Sequence, residues 1–264
     1  MIRSALMNVM TAAVIKAGRG LKRDFGEIEN LQVSIKGPGD FVSAADRRSE
    51  KTLFEELAKV RPGYGFVMEE SGRIEGSDKS HTWHIDPLDG TVNFLHGLPI
   101  FALSVGLERE GTLVAGVVYN PVTDDMFFAE RGQGAYHNNR RLRVAARRDI
   151  AEALVGCGIP ALGKAQAHPR FKAEMAEVMA RVGVLRRLGA AALDLAFVAS
   201  GGYDAYWERG LKSWDVAAGA LLVREAGGFV STAEGGDDLL TGGSVVAGND
   251  DMHRQMLAIL RKLR

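Results

Sequence analysis

The chain has 264 residues, with 33 Lys and Arg balanced by 33 Asp and Glu, 46% hydrophobic and 25% charged residues. That composition excludes an intrinsically disordered chain, and zero net charge argues against nucleic acid as the main ligand, because such proteins are usually basic. The single cysteine, Cys157, excludes an internal disulfide and fits a reducing cytoplasm. The segment to Gly18 carries Arg3 and Lys16 on a helical apolar pattern, so it does not read as a signal peptide. No run approaches the roughly 18 uncharged apolar residues of a membrane span. A soluble, cytoplasmic protein is expected.

Apolar residues at helical spacing (Leu6, Val9, Met10, Ala13, Val14, Ala17, Leu21) predict an amphipathic helix over 2–24. Gly37-Pro38-Gly39-Asp40 reads as a loop. Asp46 opens a second helix with Leu53, Phe54, Leu57 and Val60 as its buried face, ended by Pro62 and Gly63. Strands are expected at 65–68, 82–85, 102–108, 113–119 and 126–129, with Glu110-Gly111 as a hairpin turn. The second half begins near 145–155. Helices are expected at 169–182, 190–199, 214–226 and 250–263, with strands at 184–187, 203–207 and 244–247 between them. The order implies a layered α/β sandwich: an antiparallel-rich half over about 1–150 and a mixed-sheet half over about 151–264.

The turn Asp86-Pro87-Leu88-Asp89-Gly90-Thr91 follows an apolar strand. Two carboxylates three residues apart can converge on one hard divalent cation, and Mg²⁺ wants such oxygen ligands. Thr91 can open a short helix whose free N–H groups face an anion. An acidic turn with an Asp helix cap explains the same residues singly. So does N-capping by Asp215 ahead of Val216, Ala217 and Ala218, or by Asp46. Glu69-Glu70 ends another apolar strand. The joint occurrence of these acidic element ends is what singles them out.

Two long segments then resemble the inositol monophosphatase family: Trp83-His84-Ile85-Asp86-Pro87-Leu88-Asp89-Gly90-Thr91-Val92-Asn93-Phe94-Leu95-His96, and Trp214-Asp215-Val216-Ala217-Ala218-Gly219 running on to Gly227-Gly228. Glu69-Glu70-Ser71, Asp46 and the stretch from Gly201 to Glu208 agree, and Arg186 to Leu195 resembles the bacterial branch. The resemblance covers essentially the whole chain and implies one phosphatase domain over 1–264 with the inositol monophosphatase/fructose-1,6-bisphosphatase-like layered fold. It implies Mg²⁺-dependent, commonly Li⁺-inhibited hydrolysis of a phosphate monoester by a metal-activated water, most simply myo-inositol 1-phosphate to inositol and phosphate. Carried over by residue, Glu69, Asp86 and the Leu88 carbonyl would hold one Mg²⁺. Asp86, Asp89 and Asp215 would hold a second, with a third ion near Glu69, so two or three ions in all. Asp46, Thr91 and Glu69 would serve catalysis, with Asp46 and Thr91 orienting the water. Gly90 and Thr91 N–H groups would bind phosphate, and Glu208, with Ala191 and Asp215, would form the substrate wall. Lys36 matches a basic residue near the site. Val92 replaces a hydroxyl residue common after the threonine, with no catalytic loss expected.

The family also implies a homodimer, and it contains phosphatases for fructose 1,6-bisphosphate, histidinol phosphate and 3′-phosphoadenosine nucleotides. A binding protein associated with transcription antitermination is the reading from another class, with the basic run Arg140, Arg141, Arg143, Arg147 and Arg148 as its contact surface. That run reads first as a solvated loop. The six histidines form no zinc signature, Cys157 reads as a buried thiol, and glycine-rich 235–243 lacks the ending of a P-loop.

Overall fold

The first-half strands sort their side chains by parity, as a pleated strand must. In the computed structural model, which describes residues 3–27, 33–37, 40–160 and 166–262 (backbone alone for 33–37 and 40–42), both faces of the central strands between residues 81 and 130 are buried. Trp83, Ile85, Leu103, Val105, Val117 and Phe128 join one core, under the first two helices, α1 (Ala5–Phe25) and α2 (Ala44–Val60). Ala102, Val118, Phe127 and Ala129 join another, under two helices of the second half.

The first-half strands are β1 (Val33–Gly37), β2 (Asp40–Ser43), β3 (Gly65–Met68), β4 (Gly72–Ile74), β5 (His81–Asp89), β6 (Ala102–Arg109), β7 (Thr112–Asn120), β8 (Asp125–Glu130), β9 (Gly134–His137) and β10 (Arg140–Arg141). A short helix, α3 (Thr91–Leu95), follows β5. β1 and β2 pair as a hairpin; the others form a sheet in the order β10-β9-β8-β7-β6-β5-β3-β4, antiparallel except for the β3–β5 pair. The second half comprises β11 (Leu154–Cys157), α4 (His168–Met179), β12 (Val184–Arg186), α5 (Ala191–Ala199), β13 (Ala205–Arg209), α6 (Ser213–Glu225), β14 (Phe229–Ser231), β15 (Ser244–Gly248) and α7 (Asp250–Arg261). Its mixed sheet runs β12-β11-β13-β15-β14. Helices α5 and α6 lie between the two sheets, and α4 and α7 cover the outer face of the second. The layers are therefore helix, sheet, helix, sheet, helix.

Helix α6 is apolar on nearly every side because sheets flank it. Its approach is close: a Cβ on Gly116 of β7 would lie 2.9 Å from the Ala218 Cα.

Several expectations change. Val60 is 40% exposed, because α2 ends there and only Leu53 and Leu57 reach the core fully. The second helix starts at Ala44, two residues before Asp46. Strands β1, β2, β4, β9, β10 and β14 are additional; β1 and β2 flank the expected loop, and the other four have two to four residues each, too few to show alternation. The strand expected over 203–207 is β13, Ala205–Arg209. The Glu110-Gly111 hairpin turn is present, with φ values of 50° and 77°. Part of the 37–40 loop, Pro38 and Gly39, lies outside the described residues, as does the Lys36 side chain.

Candidate active site

Strand register brings the first carboxylates together. β3 and β5 run parallel with Met68 opposite Ile85, so Glu69, the first residue past β3, comes to lie beside Asp86. The Glu69 N–H donates to the Ile85 carbonyl at 3.2 Å. The stretch expected as a turn after Asp86 remains in β5. Asp86 faces Ser104 and Asp89 faces Ala102, so β5 uses one extra residue there. Pro87, with no N–H to donate, sits in that bulge. Gly90 makes the turn itself, at φ 90°, where a Cβ would lie 2.9 Å from the Ile100 carbonyl oxygen.

Asp46 and Asp215 are not N-caps, as the alternative reading had them; each is the third residue of its helix. Ser43 caps α2, and Asp46 reaches back: its Oδ2 accepts from the Ser43 N–H at 2.8 Å and from the Ser43 hydroxyl at 2.5 Å. Asp215 Oδ2 accepts from the Lys212 N–H at 2.6 Å at the start of α6. Both carboxylates thereby satisfy helix ends and still face the end of β5. The Thr91 hydroxyl stands 3.1 Å from Asp46 Oδ1 and 3.0 Å from the Leu88 carbonyl.

Asp89 crosses between the halves. Its two carboxylate oxygens accept from the N–H groups of Ala191 (3.2 Å) and Ala192 (2.7 Å), at the start of α5. Ala191, expected on the substrate wall, is thus held against Asp89 by its backbone. Glu208 projects from β13, accepts from the Tyr206 hydroxyl, and lies over Gly158, where a Cβ would collide with its carboxyl.

The electrostatics is that of like charges gathered in a dry place. Burial first, then the charges of Glu69, Asp89 and Asp215, hold Asp86 well above the usual carboxylate range. Asp89 is raised by burial and by Asp215, opposed by the Ala192 N–H. Burial also raises Asp46, against its hydrogen bonds from Ser43 and Thr91. Among the described residues no three carboxylate, histidine or cysteine side chains are already gathered to enclose an ion. The donor chemistry nevertheless fits a hard cation: the cluster offers carboxylate and carbonyl oxygen, without sulfur or imidazole. A carboxylate has about four lone-pair sites, so the amide bonds of Asp89 do not exhaust it.

Sequence reasoning missed three features. Glu50, buried on α2, accepts from the Glu70 N–H at 2.8 Å and the Ser71 hydroxyl at 2.5 Å, fixing the turn that carries Glu69. Ser49 donates to the Pro87 carbonyl at 2.8 Å. Asp194 on α5 is fully buried, and neither of its oxygens has a formed hydrogen bond. Burial first, then the Glu208 charge, pushes its carboxyl up to about 8, against the influence of Tyr203 and Arg187.

A carboxyl raised on folding stabilises the fold fully below its unfolded pKa and loses that contribution as pH rises towards its folded value. Asp194→Asn is therefore expected to melt higher than the wild type in EDTA. The gap should open between about pH 4 and pH 8 and stay level above. Thermal melts across that range check this; a gap constant with pH contradicts it.

The largest cavity among those described, 1040 Å³, does not contain the carboxylates. It is lined by Lys79, Thr82, His84, Glu108, Ser213 and Arg224 among others. Cys157 is buried and free, as expected. No helix among the described residues is long and apolar enough to cross a membrane.

A family model described as the inositol monophosphatase family matches residues 3–264. A protein named inositol-1-monophosphatase from Mesorhizobium japonicum is 59% identical over 262 residues, covering 99% of this chain and 98% of that protein. The crystal structure of an extragenic suppressor protein suhB from Bartonella henselae is 53% identical, with a TM-score of 0.95, covering 98% of this chain and 99% of that one. A Nus factor SuhB from Escherichia coli is 40% identical over 256 residues, covering 97% of this chain and 96% of that protein.

Proposed function

The chain belongs to the inositol monophosphatase family, and on that premise we propose that it hydrolyses myo-inositol 1-phosphate to inositol and phosphate, with Mg²⁺, in the cytoplasm. The convergence of Glu69, Asp86, Asp89 and Asp215 carries this reading, since burial and mutual repulsion leave Asp86 and Asp89 wanting a cation.

Glu69, Asp86 and the Leu88 carbonyl would hold one Mg²⁺, and Asp86, Asp89 and Asp215 would hold a second. Bound there, Mg²⁺ neutralises the phosphoryl oxygens, acidifies water and stabilises the leaving alkoxide. Thr91 has one hydroxyl proton, committed to Asp46 or the Leu88 carbonyl. Its oxygen is left to accept a proton from the attacking water as its own passes to Asp46. Burial makes Asp46 a stronger base than a free carboxylate. The Gly90 and Thr91 N–H groups bind the phosphate. Glu208, fixed by Tyr206, accepts from polyol hydroxyls, and Ala191 lies on the same substrate wall. Residues 1–264 act as one catalytic unit, since Asp89 and Asp215 come from different halves.

A panel of inositol 1-phosphate, fructose 1,6-bisphosphate, histidinol phosphate and 3′-phosphoadenosine 5′-phosphate, each with Mg²⁺, tests the substrate. Inositol 1-phosphate is expected to have the highest kcat/KM, and a clear preference for another member overturns that assignment. The chain is expected to be a homodimer; light scattering at micromolar concentration checks this, and a monomer mass contradicts it.

The relative named Nus factor SuhB favours a second role in contact with transcription machinery. Of the basic run, Arg147 pairs with Asp204 and Glu152, and Arg148 with Asp251. Exposed Arg140, Arg141 and Arg143 would make the contact.

A further inference from the structure

Two residues before Asp86 on β5 stands His84, and two residues before Asp215 on α6 stands Ser213. These two side chains touch: His84 Nδ1 and the Ser213 hydroxyl are 2.8 Å apart, both residues buried. The other ring nitrogen, Nε2, lies 2.9 Å from a Glu108 carboxylate oxygen on β6. An ionised carboxylate only accepts, so Nε2 carries a proton and donates to Glu108. In the neutral ring, Nδ1 then accepts from Ser213. The chain of contacts runs from β6 through β5 to the first turn of α6.

We propose that His84 is a positioning residue for the carboxylate cluster: braced by Glu108 and gripping Ser213, it fixes where Asp215 stands relative to Asp86. This rests on the reading that Asp86 and Asp215 hold Mg²⁺ together.

The geometry favours a brace over a nucleophilic serine. In a hydrolytic triad the acid bonds Nδ1 and the serine bonds Nε2, and here the order is reversed. Asp86 and His84 lie on the same face of β5, since side chains two apart in a strand share a face. That face is the one α6 covers, so the grip on Ser213 acts on the turn that carries Asp215. A second tie, from the Ser104 hydroxyl to the Trp214 carbonyl at 3.2 Å, holds the same helix start and does not depend on His84. Loss of the brace therefore leaves α6 docked but less strictly placed. Mg²⁺ demands near-ideal octahedral geometry, so small displacements of one shared ligand weaken it.

Ser213→Ala is the mild variant, because alanine is a good residue inside a helix. Binding is measured by calorimetry, titrating MgCl₂ into EDTA-treated, dialysed protein. The variant is expected to bind Mg²⁺ about 10-fold more weakly, the scale seen when a group supporting metal ligands is removed. At saturating Mg²⁺ its KM for inositol 1-phosphate should match the wild type. Ser213→Thr, which keeps the hydroxyl, should restore the affinity. A merely structural contact would lower the melting temperature of Ser213→Ala and leave its Mg²⁺ affinity alone. Affinity within about twofold of the wild type overturns the proposal while the metal reading stands. Failure of the wild type to bind Mg²⁺ overturns both.

Discussion

Asp89→Asn is expected to lower kcat at least about 10²-fold, the scale of removing one preorganised electrostatic stabiliser, and to leave the fold intact. The substitution keeps the side-chain shape and removes one negative charge from the site that Asp89 shares with Asp86 and Asp215. An amide oxygen is a weaker ligand for a hard cation. The lost interaction matters most as charge develops on the leaving oxygen, so the loss falls on kcat more than on KM. Stability has two opposing contributions. One of the two oxygens that accept from Ala191 and Ala192 becomes an amide NH₂. Against this, a carboxyl raised by burial and by Asp215 is gone. These offset, so the melting temperature in EDTA should move by only a few degrees. Near wild-type kcat with a normal melt would reduce Asp89 to a tie between β5 and α5.

Asp46→Asn is expected to cost about 10²-fold in kcat, with a stability penalty of about 0.5–2 kcal/mol. Here the two roles of one carboxylate separate by oxygen. Oδ2 completes the cap of α2 by accepting from Ser43, and Oδ1 accepts from Thr91. An amide provides one acceptor where two are used, so either the cap or the Thr91 contact is lost. Thr91→Ala should reproduce the loss in kcat without the stability penalty. The double variant should be little worse than either single one, because the two groups act as a unit. Steady-state kinetics and melting of the three variants check this; additive losses would show that Asp46 and Thr91 act separately.

The residues that assemble the site come from contiguous stretches whose types declare their chemistry, Asp86 to Thr91 and Trp214-Asp215. The residues that hold them do not. Glu50 is one more charged residue on a helix until β3 ends beside it. Asp194 sits in an apolar helix at a position that only the tertiary packing around α5 makes dry. His84, Ser213 and Glu108 lie up to 129 residues apart, so no local pattern joins them. Ser43 was within reach: Ser43-Ala44-Ala45-Asp46 has the spacing of a reciprocal helix cap, a signal that places Asp46 third in its helix. The bulge at Pro87 was hidden for another reason. Whether Asp-Pro-Leu-Asp leaves the sheet depends on the partner strand, and Ala102 and Ser104 keep it paired.

Phosphate release from myo-inositol 1-phosphate, measured for the wild type and Asp89→Asn in EDTA and again after Mg²⁺ is restored, bears most directly on the central claim. Release should be absent in EDTA, return with Mg²⁺ in the wild type, and stay at least about 10²-fold lower in Asp89→Asn. Equal release with and without the metal, or equal rates in the two proteins, would contradict a reaction organised on these carboxylates.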